Sequence, residues 1–164
     1  MAYVHKIVKT PVGALTLVAS SKGLAAVLWE NDKPGRVRLD IGHEDKKHPV
    51  IAEAERQLKE YFAGTRNRFD LPLDFTGTPF QKKVWQALCR IPFGETRSYA
   101  DIARAVGSPK AVRAVGSANG KNPISIVAPC HRVIGKNGKL TGFAGGLEVK
   151  EFLLGLENRQ GKII

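Results

Sequence analysis

Ser98-Tyr99-Ala100-Asp101-Ile102-Ala103-Arg104-Ala105-Val106-Gly107-Ser108-Pro109-Lys110-Ala111-Val112-Arg113-Ala114-Val115-Gly116-Ser117-Ala118 is the stretch that decides the fold. Ser98 opens a short helix over residues 99–106, and Gly107 makes a tight turn. Ser108-Pro109 then caps a second helix over residues 110–118. Two short helices about a glycine match a helix-turn-helix. Ala111, Val112, Val115 and Ala118 can face inward. Lys110, Arg113 and Ser117 share the opposite side at three- and four-residue spacing. Ala114 borders them, and Gly116 lies nearby. A major-groove reader presents several polar side chains to base edges. The small Ala114, Gly116 and Ser117 instead let the backbone come close, with Arg113 as the one long probe. That pattern favours shallow-groove contact with little sequence readout. Two helices packed together without DNA would show the same periodicity, so the motif needs support from elsewhere in the chain.

Charge supplies part of that support. The chain carries a net charge of +11, unevenly spread. Residues 1–75 hold 12 basic and 10 acidic side chains, whereas residues 76–164 hold 14 and 5. A polyanionic partner for the second half follows, with nucleic acid the commonest of that class. Thr78-Pro79-Phe80-Gln81 opens this half with a capping box and a proline at the first helical position. Phe80, Val84, Leu88 and Ile91 continue as an apolar stripe until Pro92 and Gly94 stop it.

The first half reads differently. Residues 4–9, 14–20 and 24–29 are short strands separated by Pro11-Val12-Gly13 and Ser21-Lys22-Gly23, which predicts an antiparallel meander. Residues 31–47 are charged, contain Pro34 and Gly35, and read as an irregular segment. Ile51, Ala54, Leu58, Tyr61 and Phe62 fall at helical spacing over residues 49–63, and Gly64 can end that helix. The expected class is α+β. Residues 1–75 form a sheet-plus-helix domain, and residues 76–164 form a mostly helical one.

Two cysteines, Cys89 and Cys130, make neither a disulfide framework nor a usual zinc site. Cys89 lies four residues after Trp85, on the apolar side of its helix, and reads as a buried inert thiol. Residues 1–75 contain no cysteine, so no metal is expected there, and His5, His43 and His48 read as surface or core. No run approaches the ~20 apolar residues of a membrane span. The N-terminal residues lack the apolar core of a signal peptide, and a cytosolic address is the default.

The chemistry concentrates at Pro129-Cys130-His131-Arg132-Val133, after an apolar run over residues 124–128 that reads as a buried strand. A thiol attacks as its thiolate, and an imidazole nearby can take the proton. In an extended chain, however, neighbouring side chains point to opposite faces, so a bridging water or a local bend is needed. A glycine-rich loop, Leu140-Thr141-Gly142-Phe143-Ala144-Gly145-Gly146, follows. A last helix spans residues 148–157, with Val149, Phe152, Leu153 and Leu156 on one face.

Pro-Cys-His-Arg-Val, the Gly-Phe-Ala-Gly-Gly loop and the upstream Arg113-Ala114-Val115-Gly116-Ser117-Ala118-Asn119-Gly120-Lys121-Asn122-Pro123 closely resemble the O6-alkylguanine-DNA alkyltransferases. The resemblance covers residues 78–158. It implies a ribonuclease H-like first domain and a protein that binds duplex DNA through the minor groove and flips the damaged guanine out. It implies that Cys130 accepts the O6-alkyl group once and irreversibly, as a single-turnover cysteine S-methyltransferase without a cofactor. His131 would be the base acting through water, and Glu157 the carboxylate that orients it. Asn122 would brace the active-site turn, and Tyr99 would donate a hydrogen bond to the leaving guanine. Arg113 would fill the gap left by the base, beside Lys110, Ala114, Gly116 and Ser117 of the DNA-facing helix. The Val133 carbonyl, Phe143 and Gly145 would line the pocket. The expected partner is double-stranded DNA carrying O6-alkylguanine, with O4-alkylthymine and cooperative assembly on DNA left open for a monomer. The alternative is a non-catalytic lesion-recognition module that recruits other repair, against which Cys130 argues. A DNA-independent thiol hydrolase would leave the helix-turn-helix unexplained.

Overall fold

Three alternating runs build the first half. The structure, a computed structural model, describes residues 3–161. Residues 1–2 and 162–164, the outer ends of the two expected spans, lie outside the described residues. β1 (Val4–Thr10), β2 (Gly13–Ala19) and β3 (Leu24–Trp29) form the antiparallel meander that the alternation implies. α1 (Pro49–Ala63) covers one face. The ring of His48 accepts a hydrogen bond from the Val50 amide at its start, and Gly64, at φ 83°, closes its end. Leu15, Leu17 and Ala19 of β2 pack with Ile51, Ala54 and Leu58 of α1.

Residues 31–47 are more ordered than their composition suggests. β4 (His43–Glu44) pairs parallel to β1, giving the sheet order β3-β2-β1-β4. Leu39 and Ile41 pack against Val18, Ala25 and Ala26 on the other side of the sheet. Gly42 permits this close approach, because a Cβ there would lie 1.7 Å from the Tyr3 carbonyl oxygen. Charged neighbours hid two apolar residues that cover the sheet.

The second half is helical. α2 (Pro79–Leu88) starts with the expected capping box. The Gln81 amide donates to Thr78 Oγ1 at 3.1 Å, and the Thr78 amide donates to Gln81 Oε1 at 2.9 Å. Cys89 is exposed, not buried. Cys89 is the C-cap of α2 and its amide still donates to the Trp85 carbonyl at 3.2 Å, but the cluster that buries Val84, Trp85 and Leu88 does not reach its side chain. β5 (Arg97–Ser98) leads into α3 (Tyr99–Ala105), and α4 (Val112–Gly120) follows after the turn at Gly107. Val84, Leu88, Ile102, Val115 and Ala118 join α2, α3 and α4 in a second cluster.

α4 starts two residues later than the sequence suggests. The Ala111 amide donates to the Ser108 carbonyl at 2.8 Å, so Ser108-Pro109 shape a turn and do not cap. Lys110 therefore stands before the helix. Val112, expected inward, is 39% exposed in the first turn, and the buried positions are Val115, Ala118 and Asn119.

Residues 124–128 are buried but are not a strand. They form consecutive turns, and Ile126 has φ 72°. The Ser125 carbonyl accepts from the Val127 amide across it, a γ-turn that is rare and strained. The segment then enters a 3₁₀ turn, Cys130–Arg132, and β6 (Val133–Ile134), which pairs parallel to β5. α5 (Leu147–Gly161) closes the fold. Its buried side carries Lys150, Leu153, Leu156 and Glu157, while Phe152 is 38% exposed. Two charged residues thus occupy the inward stripe assigned by pattern to apolar ones.

The halves share a core. Ile124, Ile126, Leu153 and Leu156 belong to the same cluster as Leu17 and Leu58. The outer edge of β3 is covered by both neighbours in space. Its Leu24 amide donates to the Pro72 carbonyl and its Val27 amide to the Pro123 carbonyl, at 2.8 and 2.9 Å. Among the described residues, no helix is long and apolar enough to cross a membrane.

Replacing Thr78 with Ala removes the side-chain half of the α2 cap and is expected to destabilise the protein by about 1 kcal/mol. Urea unfolding of both proteins measures this, and an unchanged midpoint would contradict the assignment.

Candidate active site

The 3₁₀ turn supplies the local bend that an extended Cys130-His131 pair would lack. Successive side chains in such a turn diverge by about 120°. Among the described residues, no hydrogen bond joins the two side chains. His131 instead turns its Nε2 to Glu157 Oε2, at 2.7 Å, with both side chains essentially inaccessible. Glu157 is anchored from two further directions. Arg132 Nε donates to Oε1 at 2.8 Å, and its Nη2 donates to Oε2 at 3.1 Å. The Tyr61 hydroxyl, from α1, donates to Oε2 at 2.6 Å. Arg132 also donates to the Ile91 carbonyl at 2.7 Å, and its guanidinium lies 5.7 Å from the Phe93 ring centroid.

These contacts fix protonation. Burial alone would raise Glu157, but the hydrogen bonds and charges of His131 and Arg132 outweigh it and hold the carboxyl at about 2. An ionised carboxylate only accepts, so His131 Nε2 carries its hydrogen and Nδ1 presents a bare lone pair. Nδ1 is buried and has no hydrogen-bond partner among the described residues. Burial pushes the imidazole below its usual value, against the pull of Glu157. Burial and then the Glu157 charge push the Tyr61 phenol upward, so it remains a donor.

Cys130 sits in the wall of the second cluster and is 3% exposed. Burial raises its thiol, opposed by hydrogen bonding to Asn122 and Ser125 and by the charges of Arg36 and Lys150. The resting group is a thiol whose proton must leave as the sulfur reacts. Asn122 spans the turn before it. Its Nδ2 donates to the Ala128 carbonyl at 2.7 Å, and its Oδ1 accepts from the Ile124 amide at 3.0 Å. These two bonds, with Pro123 and Pro129 at the ends, explain why the apolar run bends. Arg36 ties the first half to this region by donating to the Asn122 and Gly120 carbonyls at 2.8 and 3.1 Å. Trp29 Nε1 donates to Ser125 Oγ at 3.1 Å.

The remaining expected pocket residues border the same cluster. Tyr99 and Phe143 pack against it, and Val133 is fully buried within it. Phe143 meets Trp29 edge-on, with ring centroids 5.4 Å apart. Gly145 lies under that pair, where a Cβ would come within 2.9 Å of the Trp29 ring. The Tyr99 hydroxyl is 2.5 Å from Thr141 Oγ1, and the Val133 carbonyl accepts from Lys150 Nζ at 2.7 Å. Arg113, Ala114 and Ser117 of α4 and the preceding Lys110 are exposed, and the partly exposed Gly116 faces the Tyr99 ring, which an added Cβ would approach to 3.9 Å. Cys89 faces a separate cleft with Arg68, Phe93 and Arg132. Although the residue as a whole is exposed, the cleft walls desolvate its sulfur and push the thiol up to about 11.

Sequence reasoning missed Tyr61, Arg132, Ser125, Arg36, Thr141 and Lys150. Arg132 lay inside the motif and Lys150 was a lone cation in an apolar helix face, so both carried a signal. The partners of Tyr61 and Arg36 are distant in sequence, and nothing local marked them. Among the described residues, no group of three or more His, Cys, Asp or Glu side chains is placed to hold a metal. His5 Nδ1 faces the Ile41 and Gly42 carbonyls, and His43 is exposed in β4.

A carboxylate held at about 2 against an ordinary 4.5 contributes stability above pH 4.5, and that contribution is lost as pH falls toward 2. The lowered His131 adds a loss that begins below its ordinary 6.5. Unfolding free energy is therefore expected to fall from about pH 6.5 downward, more steeply below about 4.5. Glu157→Gln should flatten the lower part. Denaturant titrations across pH test this, and an identical acid slope in the variant would contradict it.

Comparison with known proteins shows the family. Residues 79–159 match the family described as 6-O-methylguanine DNA methyltransferase, DNA binding domain, and residues 3–75 match its ribonuclease-like domain. The constitutive methylated-DNA--protein-cysteine methyltransferase of Bacillus subtilis (strain 168) is 67% identical over 151 residues, covering 91% of this chain and 92% of its own length. The methylated-DNA--protein-cysteine methyltransferase of Methanosarcina barkeri is 51% identical, over 93% of this chain and 96% of its own. The crystal structure of Mycobacterium tuberculosis OGT in complex with DNA superposes with a TM-score of 0.86 at 44% identity, covering 98% of this chain and 94% of that one. The chain belongs to the 6-O-methylguanine DNA methyltransferase family.

Proposed function

We propose that this protein reverses DNA alkylation directly, taking an alkyl group from O6 of guanine in duplex DNA onto Cys130. The observation that carries the site assignment is the buried His131. Its Nε2–H is committed to Glu157, and its Nδ1 lone pair has no hydrogen-bond partner among the described residues, on the residue that follows the buried Cys130. A water between Nδ1 and the thiol completes the path for the proton. As the sulfur attacks, the S–C bond forms and the C–O bond breaks, and the bonding pair stays on the guanine. The Tyr99 hydroxyl stands on the pocket side of α3 to donate to that leaving base. The product is a thioether without a good leaving group, so each molecule acts once.

Delivery falls to α4. Its exposed Arg113, Ala114 and Ser117, the half-exposed Gly116 and nearby Lys110 suit a close minor-groove approach, with Arg113 filling the space of a flipped base. The first turn of α4 lacks a side-chain cap, which suits a backbone phosphate. The Val133 carbonyl, Phe143 and Gly145 form the pocket wall. Residues 1–75 act as a supporting domain that fixes the turn before Cys130, and residues 76–164 carry DNA contact and alkyl acceptance. The cytoplasm is the proposed compartment, in keeping with two free cysteines. A lesion-recognition module without transfer is not favoured, because Cys130 is retained next to the hydrogen-bonded His131–Glu157 pair.

Incubating the protein with a duplex containing O6-methylguanine should add one methyl mass to the peptide holding Cys130, with stoichiometry limited to one per chain. Cys130→Ser should bind the same duplex and transfer nothing. Absence of transfer by excess wild-type protein, or methylation of the serine variant, would overturn the proposal.

A further inference from the structure

Lys150 is a fully buried lysine that the alkyl-transfer scheme does not use. Its ammonium has three hydrogens and no lone pair. They face three oxygens: the Val133 carbonyl at 2.7 Å, the Thr141 carbonyl at 3.4 Å and Thr141 Oγ1 at 3.5 Å. Thr141 Oγ1 in turn lies 2.5 Å from the Tyr99 hydroxyl. Taken alone, either of those two hydroxyls could donate to the other. The cation removes the ambiguity. A positive charge beside Thr141 Oγ1 attracts its lone pairs and repels its hydrogen, which turns the hydrogen toward Tyr99. Tyr99 then accepts from Thr141, and its own hydrogen is left to point elsewhere.

We propose that Thr141, oriented by Lys150, is a positioning residue that aims the Tyr99 hydroxyl hydrogen at the leaving guanine. The inference rests on the reading of Tyr99 given above. Thr141 touches neither the sulfur nor the alkyl carbon. It sets the direction of a donor before the base arrives, so no rotation of the hydroxyl is needed when charge develops on the guanine. Because Lys150 also holds the Val133 carbonyl, one buried cation links β6 to the glycine-rich loop on which Thr141 sits.

The test is a double-mutant cycle on the single-turnover rate of transfer from an O6-methylguanine duplex. Tyr99→Phe is expected to lower the rate about tenfold, and Thr141→Val to lower it by a similar factor. DNA affinity and thermal midpoint should be unchanged in Thr141→Val. Thr141→Ser, which keeps the hydroxyl, should stay within about twofold of wild type. The double variant Tyr99→Phe/Thr141→Val should be no slower than Tyr99→Phe alone. Should Val disturb the loop, Thr141→Ala serves in the same cycle. Multiplying losses in the double variant, or a serine variant as slow as the valine one, would overturn the relay while leaving Tyr99 as donor. A Tyr99→Phe rate equal to wild type would overturn both.

Discussion

The carboxylate of Glu157 is the contact on which the rest of the site depends. It accepts four hydrogen bonds from Tyr61, His131 and Arg132, from inside the protein and on both oxygens. A buried charge is costly unless it is paired and fully hydrogen-bonded. Here the partners come from α1 and from the 3₁₀ turn, and Glu157 itself stands on α5, so satisfying the charge also fastens these three pieces together. The bonds and charges of His131 and Arg132 keep Glu157 ionised, and an ionised Glu157 fixes the tautomer of His131. Structural and chemical roles are therefore one interaction.

Cys130 is held in a complementary way. Burial keeps it a thiol, and the Asn122 bridge keeps the preceding turn bent around a strained Ile126. A buried thiol is sheltered from casual electrophiles, which suits a group that can be used once. The first half of the chain contributes no nucleophile or base, yet its Tyr61, Trp29 and Arg36 each reach a polar group of the site or its bracing turn. Its edge strand β3 accepts the Pro123–Ile124 segment as a neighbour. A small sheet domain beside a DNA-binding domain thus has a physical task in placing the reactive turn.

Much of this is legible in the sequence. The meander, α1 with its Gly64 end, the Thr78 capping box and the helix-turn-helix all carry local signals of spacing and capping. The motif around Cys130 and the family resemblance named His131, Glu157 and Asn122. What failed did so for nonlocal reasons. Residues 124–128 are apolar and β-branched enough for a strand, but the Asn122 side chain competes for their backbone. α4 begins late because Pro109 shapes a turn with Ser108 and Ala111. Helical phase alone places Phe152 and Val112 inward, yet both are exposed, and Lys150 and Glu157 hold part of the inward stripe of α5. Tyr61 and Arg36 carry no local mark, since their partners lie 96 and 86 residues away.

The central claim is that burial keeps His131 neutral and Glu157 fixes its tautomer, with its hydrogen on Nε2 and a bare lone pair on Nδ1. Nitrogen-15 NMR of the labelled imidazole at neutral pH measures this directly. A pyrrole-like shift at Nε2 and a pyridine-like shift at Nδ1 is the predicted result, with Nδ1 changing when Glu157 is replaced by Gln. An imidazolium, or a hydrogen resident on Nδ1, would contradict the account.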